Sequence, residues 1–290
     1  MRRLIIQFPV ATFFVVAYAV TLTSALLTRL MIEGIVPRVS FVPAVATFGP
    51  SIAGLLIAIY LYGLTGIRHF ISHLNPVRAG LRWPIFCLLL PALLMGFGVM
   101  LYMALLSDSS VNSLTLRWFT WPNFIAGVVS HTFLQSGMGE ELGWRGFALP
   151  HLQRHCSALK SSLVIGIVWA FWHLPHHFLL GTSPGTVPEV ATYVLSITTM
   201  SIVFTVVYNS TKGSLLAVML LHGTNNACWS YLHELLPGLE MGGVTENMIV
   251  GGMWIVVAVV CVFIFGPEHL AGQVRQMPDI YSENTTEAMN

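Results

Sequence analysis

Eight runs of about twenty predominantly apolar residues, separated by short polar stretches, constrain this chain more than any other feature in it. They lie at about 4–27, 41–62, 84–106, 121–136, 161–180, 189–208, 214–235 and 248–265, the fourth and fifth being less purely apolar than the rest. A hydrocarbon layer ~30 Å thick is crossed by ~20 residues of α-helix, because each residue advances the helix by ~1.5 Å. Inside such a layer every backbone N–H and C=O must find its partner within the protein, which leaves helices and closed barrels as spanning structures. Barrel strands need only about ten residues. The sequence therefore predicts an all-α, polytopic membrane protein, a bundle of about eight transmembrane helices forming one integral membrane domain over residues 1–290.

Arg2 and Arg3 precede the first run, but that run is too long for the ~7–15-residue core of a secretory signal, so it reads as a transmembrane helix. An N-terminus in the cytoplasm puts Arg2, Arg3, Arg68, Arg78, Arg82, Arg154, Lys160, Lys212 and Arg275 on that side, against Arg29, Arg38 and Arg117 outside. This distribution follows the positive-inside rule, predicts cytoplasmic termini, and makes the loop with Glu234, Glu240 and Glu246 external. Residues 66–83 mix Arg68, His69, His73, Arg78 and Arg82 with Ile67, Phe70, Ile71 and Leu74, the pattern of an amphipathic interface helix. Residues 267–290 form a polar tail. The net charge of +1 gives no basic surface for nucleic acid. Cys87, Cys156, Cys228 and Cys261 are scattered and form no CxxC pair, so they read as small packing residues.

Only 9% of the residues are Asp, Glu, Lys or Arg, against about 25% in soluble domains. Against that background Gly139-Glu140-Glu141-Leu142-Gly143-Trp144-Arg145-Gly146 stands out, with three charges at the end of an apolar run. An ionised side chain at a helix centre costs about 2.5–3.5 kcal/mol on insertion, so such groups face a protein interior or a wet cavity. Glu141 and Arg145 are four apart in the favoured acid-before-base order and should pair along one face. Glu140 points about 100° away, with no basic residue at i+3 or i+4. It is either one more member of a structural ion cluster or a free carboxylate able to act as a general base.

Two later runs carry polar residues at helical spacing. Trp169-Ala170-Phe171-Trp172-His173-Leu174-Pro175-His176-His177 places His173 one turn after Trp169, with Pro175 expected to loosen the helix just beyond. His176 and His177 read as loop or rim residues, and Trp169, Phe171 and Trp172 as packing. In Leu221-His222-Gly223-Thr224-Asn225-Asn226, His222 and Asn226 share a face. Two donors aimed at one point are what a developing oxyanion needs, although intramembrane polar side chains also serve as helix–helix glue. Asn225, on another face, reads as the glue.

The order Glu-Glu-x-x-x-Arg, aromatic-x-x-x-His, His-x-x-x-Asn over about ninety residues resembles the CPBP family of intramembrane proteases. That family includes the type II CAAX prenyl endopeptidases and the bacteriocin-processing and lysostaphin-resistance-like proteins. The resemblance covers residues 121–235. Its one departure is Trp169, where the family motif has Phe. The resemblance implies an eight-helix fold with a polar cavity, and a protease in which Glu140 and His173 activate a water. It makes His222 and Asn226 the oxyanion donors, with Glu141, Arg145 and Trp169 in support. It also implies a peptide or protein substrate in the membrane, which can be prenylated, and a multi-pass protein of a bacterial inner membrane.

Glu140, His173 and His222 would also be a two-His, one-carboxylate zinc set with an open position. No His-Glu-x-x-His is present, since His233-Glu234-Leu235-Leu236 runs into Pro237, and Pro175 lies between His173 and His177. Hydrolysis without a cofactor is the favoured reading, with zinc the alternative. Two other function classes compete with a protease. A scaffold or regulator could keep the polar cluster for structure alone, and a transporter would need paired repeats, of which the sequence has none.

Overall fold

The computed structural model describes residues 2–75, 80–106, 120–180, 186–235 and 244–272. Most of the expected polar tail (273–290), Arg117 and loop residues 236–243 lie outside these. The described residues form helices and no strand: α1 (Arg2–Gln7), α2 (Pro9–Ile32), α3 (Val42–His73), α4 (Arg82–Leu106), α5 (Trp121–Phe133), α6 (Ser136–Gly143), a π-helical turn (Trp144–Ala148), α7 (Leu149–Gln153), α8 (Ala158–Leu180), α9 (Val187–Ser210), α10 (Leu215–Leu235) and α11 (Val244–Phe265).

All eight apolar runs are helical, and the fold is the all-α bundle the sequence predicts. Among the described residues, Pro9–Ile32, Val42–His73, Arg82–Leu101, Ala158–Leu180 and Val187–Ser210 are long and apolar enough to cross a membrane. The outer surface is apolar, and the few charged side chains are enclosed within a largely apolar core. Phe263 is 90% exposed, whereas Thr21, Ser51, Thr205 and the charged Glu140, Glu141 and Arg145 are buried. That arrangement suits a lipid surround, where small and hydroxylated residues line helix contacts.

Three details depart from the expected helix boundaries. The first run is split at Phe8, where Pro9 begins α2. α3 continues past its apolar stretch to His73 but bends at Gly63, whose φ of 58° suits a residue without Cβ. The expected 66–83 interface helix is therefore the end of α3 up to His73, and a separate helix begins at Arg82. The fourth run ends as α5 after only 13 residues, ~20 Å of helix, and the charged motif lies on a separate short helix, α6.

α6 is enclosed by α3, α5 and α10, while α8 and α11 flank α9 and α2 lies along α3. Prolines contribute to these contacts. Pro50 within α3 has no N–H to give the carbonyl of Ala46, and that carbonyl accepts the Thr21 hydroxyl of α2 at 2.8 Å. Thr21 in turn accepts the Trp172 indole N–H of α8 at 3.0 Å. A backbone group freed by proline thus joins α3, α2 and α8.

Candidate active site

Small residues put α6 deep in the bundle. A Cβ on Gly139 would come within 2.9 Å of the Thr47 carbonyl, and one on Gly143 would overlap the Pro50 backbone. With glycine at both positions, one turn apart, α6 lies directly on α3, and the Ser51 hydroxyl donates to the Met138 carbonyl at 2.7 Å. Glu140 and Glu141 project from the other faces. The wider π-helical turn that follows carries Arg145, an irregularity often found at functional sites.

The pairing expected from i, i+4 spacing is present. Arg145 Nη1 donates to Glu141 Oε1 at 3.0 Å, both side chains being fully buried. Arg145 Nη2 donates to Ser201 Oγ at 3.1 Å, and Ser201 donates to the Ser162 carbonyl, linking α9 to α8. The guanidinium carbon lies 4.7 Å from the Trp169 ring centroid and 4.9 Å from that of Phe204, two rings that pack against each other at its side. Glu141 Oε1 also faces Nδ1 of His222, at 2.8 Å. Glu141 therefore orients His222, a role beyond the support of its own motif.

Glu140 stands apart from that ion pair, as its helical angle requires, but has partners of its own. The Trp169 indole N–H donates to its Oε2 at 2.6 Å, and His173 Nε2 lies 3.7 Å from the same oxygen. Both atoms can contact one water at ~2.8 Å each, with an angle of about 80° at the water. Glu140 is 2% accessible and His173 23%, so the carboxylate is approached from the His173 side. The two groups of contacts meet at Trp169, whose ring centroid is 5.4 Å from that of His222.

Asn226 takes a different place from the one spacing suggests. Its Nδ2 donates to Ser136 Oγ at 2.6 Å, fixing α10 to the start of α6, and its Oδ1 accepts from Asn225 at 3.2 Å. Asn226 makes the interhelical bond expected of Asn225, and one of its two amide hydrogens remains for another acceptor.

α8 corrects two expectations. Pro175 lies inside the helix, which runs on to Leu180, so His176 and His177 are helical and not in a loop. The rings of His173 and His177 stack with centroids 5.8 Å apart. The tryptophans do more than pack, since Trp169 and Trp172 both donate their N–H groups. Tyr193 of α9 was not singled out by the motifs, yet its ring lies 6.2 Å from His173 and 5.9 Å from His177.

A zinc ion would need at least three donors converging on one point. Among the described residues no three His, Cys, Asp or Glu side chains gather closely enough to hold a metal ion. Glu140 and His173 approach each other, whereas the Nδ1 of His222 is turned to Glu141. The set does not fit, and no step below is routed through a metal. A cavity of about 440 Å³, lined by Tyr62, His151 and Arg154 among others, contains none of the site residues.

Residues 117–228 match the family model described as type II CAAX prenyl endopeptidase Rce1-like. This core is similar to that family. Glu140, His173, His222 and Asn226 all fall inside it, and the resemblance drawn from the three motifs is borne out. Forty residues are 50% identical to the CAAX prenyl protease 2 of Methanococcus maripaludis, covering 14% of this chain and 15% of that relative. An Rce1-like core within a bundle of long apolar helices makes this an integral, multi-pass membrane protein.

Proposed function

We propose that the protein is an intramembrane endopeptidase that hydrolyses peptide bonds of membrane-associated substrates without a metal. The observation that carries this reading is the pairing of a buried carboxylate with a partly open imidazole, Glu140 Oε2 and His173 Nε2 at 3.7 Å, inside a low-charge bundle. Water held between them gives its proton to the Glu140–His173 pair as its oxygen bonds to the peptide carbonyl carbon. The carbonyl π electrons move to oxygen. His222 and the second amide hydrogen of Asn226 receive that oxyanion. Collapse re-forms the carbonyl and breaks the C–N bond, and the captured proton leaves on the amine. Glu141 and Arg145 hold His222 and the motif in place. The match to the Rce1-like family supports prenylated C-terminal peptides as a substrate class.

The deciding experiment is Glu140→Gln in membranes, assayed on a farnesylated peptide ending in a CAAX box and on its unprenylated counterpart. Glutamine keeps the shape and still accepts from Trp169, but it cannot take a proton from water. Folded, inactive protein is the expected result. Wild-type cleavage by the variant excludes Glu140 as the base, and an unchanged biological effect in a cleavage-dead variant favours a scaffold instead. Full activity after exhaustive chelation is expected, and loss restored by zinc alone rejects the metal-free scheme.

A further inference from the structure

We infer that Trp169 is a positioning residue whose indole N–H holds Glu140 as an oriented, proton-accepting carboxylate. This rests on the general-base role proposed for Glu140. The bond joins two nearly inaccessible side chains, Trp169 at 1% and Glu140 at 2%, at 2.6 Å. No basic residue reaches Glu140 along its own helix at i+3 or i+4, because Arg145 is five residues on and bonds to Glu141 and Ser201. A carboxylate taken out of water without a donor strongly favours its protonated form, which cannot deprotonate water. An N–H aimed at one carboxylate oxygen offsets that loss and fixes the group's rotation beside His173. Phenylalanine could fill the aromatic space but has no hydrogen to give.

The surroundings of the indole reinforce the bond. The Arg145 guanidinium lies over its ring, 4.7 Å from the centroid, and a cation there draws electron density toward the face. The N–H at the ring edge becomes a stronger donor. Arg145 thereby acts on Glu140 through Trp169, although its own hydrogen bonds go elsewhere. Phe204 backs the same ring with centroids 5.8 Å apart and restricts its movement. One side chain thus joins the structural ion pair to the proposed base.

The test removes the N–H and keeps the ring. Trp169→Phe is assayed beside Glu140→Gln on a farnesylated CAAX peptide, with kcat, KM and the pH profile of kcat recorded in full. Loss of a hydrogen bond to a charged group predicts kcat lower by about tenfold to a hundredfold, with KM unchanged. It also moves the acidic limb of the profile to higher pH by about one unit, because the carboxylate without its donor keeps its proton longer. A packing role alone changes the yield of folded enzyme and leaves that limb in place. If Trp169→Phe folds poorly, 3-benzothienylalanine at position 169 replaces N–H by sulfur in a ring of the same shape and is subject to the same criteria. A wild-type profile and kcat in either folded variant, with Glu140→Gln inactive, overturns the role of Trp169 and leaves the base intact. Activity in Glu140→Gln removes both.

Discussion

Nδ1 of His222 lies 2.8 Å from the Glu141 oxygen that Arg145 holds at 3.0 Å, so one carboxylate oxygen fixes a proposed oxyanion donor and a buried cation together. An ionised carboxylate can only accept, so the hydrogen of this bond is on Nδ1. Neutral His222 then has a bare lone pair on Nε2, and it can donate to an oxyanion only as the doubly protonated ring. Replacing His222 with Gln is expected to lower kcat by about 10²–10³ with KM little changed, the usual loss for one oxyanion donor. Wild-type kcat in the folded variant excludes His222 as an oxyanion donor.

The pocket around Arg145 is built for a planar cation. Arg145→Lys keeps the charge but gives up the planar contact with the Trp169 and Phe204 rings and cannot reach Glu141 and Ser201 together. A loss of about 1–3 kcal/mol of stability is expected, with Arg145→Ala losing about 3–5 kcal/mol because buried Glu141 keeps only His222 and loses its cation. Thermal unfolding in a defined detergent ranks the three proteins. Equal midpoints for wild type and the lysine variant show that the planar contact contributes nothing.

How much of this was legible in the sequence depends on which physical rule governed each part. The all-α character and the Glu141–Arg145 pair follow from local rules, twenty apolar residues per span and one turn between opposite charges. The separation of α6 from α5 does not, because the bend falls at Leu134 and Gln135, neither a helix breaker, just ahead of the glycines at 137 and 139. The donor to Glu140 was also hidden, since Trp169 lies 29 residues away and an aromatic at that spacing reads equally well as packing. The helix continues through Pro175, where a loosening was expected, for a physical reason. In a bundle, neighbouring helices hold a proline-bearing helix in shape, and its freed carbonyl costs less than a helix end. Asn225 and Asn226 could not be told apart by helical angle, because the partner, Ser136, lies on another helix.

Gly143 is predicted to tolerate no side chain. A methyl group there would overlap the backbone and ring of Pro50 in α3, and backbone in the middle of a helix gives way at high energy. Gly143→Ala should destabilise the protein by about 1–3 kcal/mol and reduce cleavage by pushing α6, with Glu140, off its seat. Gly252 is the control: an added Cβ there meets nothing within 4 Å, so Gly252→Ala should leave both stability and cleavage unchanged. The idea that α6 is seated by glycine fails if both variants behave like wild type.

His151 on α7 gives a stability prediction with a defined direction in pH. Burial pushes its pKa down from 6.5 to about 4, while its bond to the Phe147 carbonyl opposes the change. The neutral ring is well served, since Nδ1–H donates to Phe147 O at 2.6 Å and Nε2 lies 3.0 Å from the Tyr62 hydroxyl. The unfolded chain binds this proton below about pH 6.5 and the folded protein only below about pH 4, so stability falls as pH drops through that window. The whole contribution, about 3 kcal/mol, is present above pH 6.5 and lost near pH 4. His151→Gln can keep hydrogen bonding without titrating, so it should be less stable than wild type at pH 7.5 yet lose less between pH 7 and pH 5. Unfolding midpoints across that range decide the matter, and parallel curves for the two proteins assign the acid sensitivity to other groups.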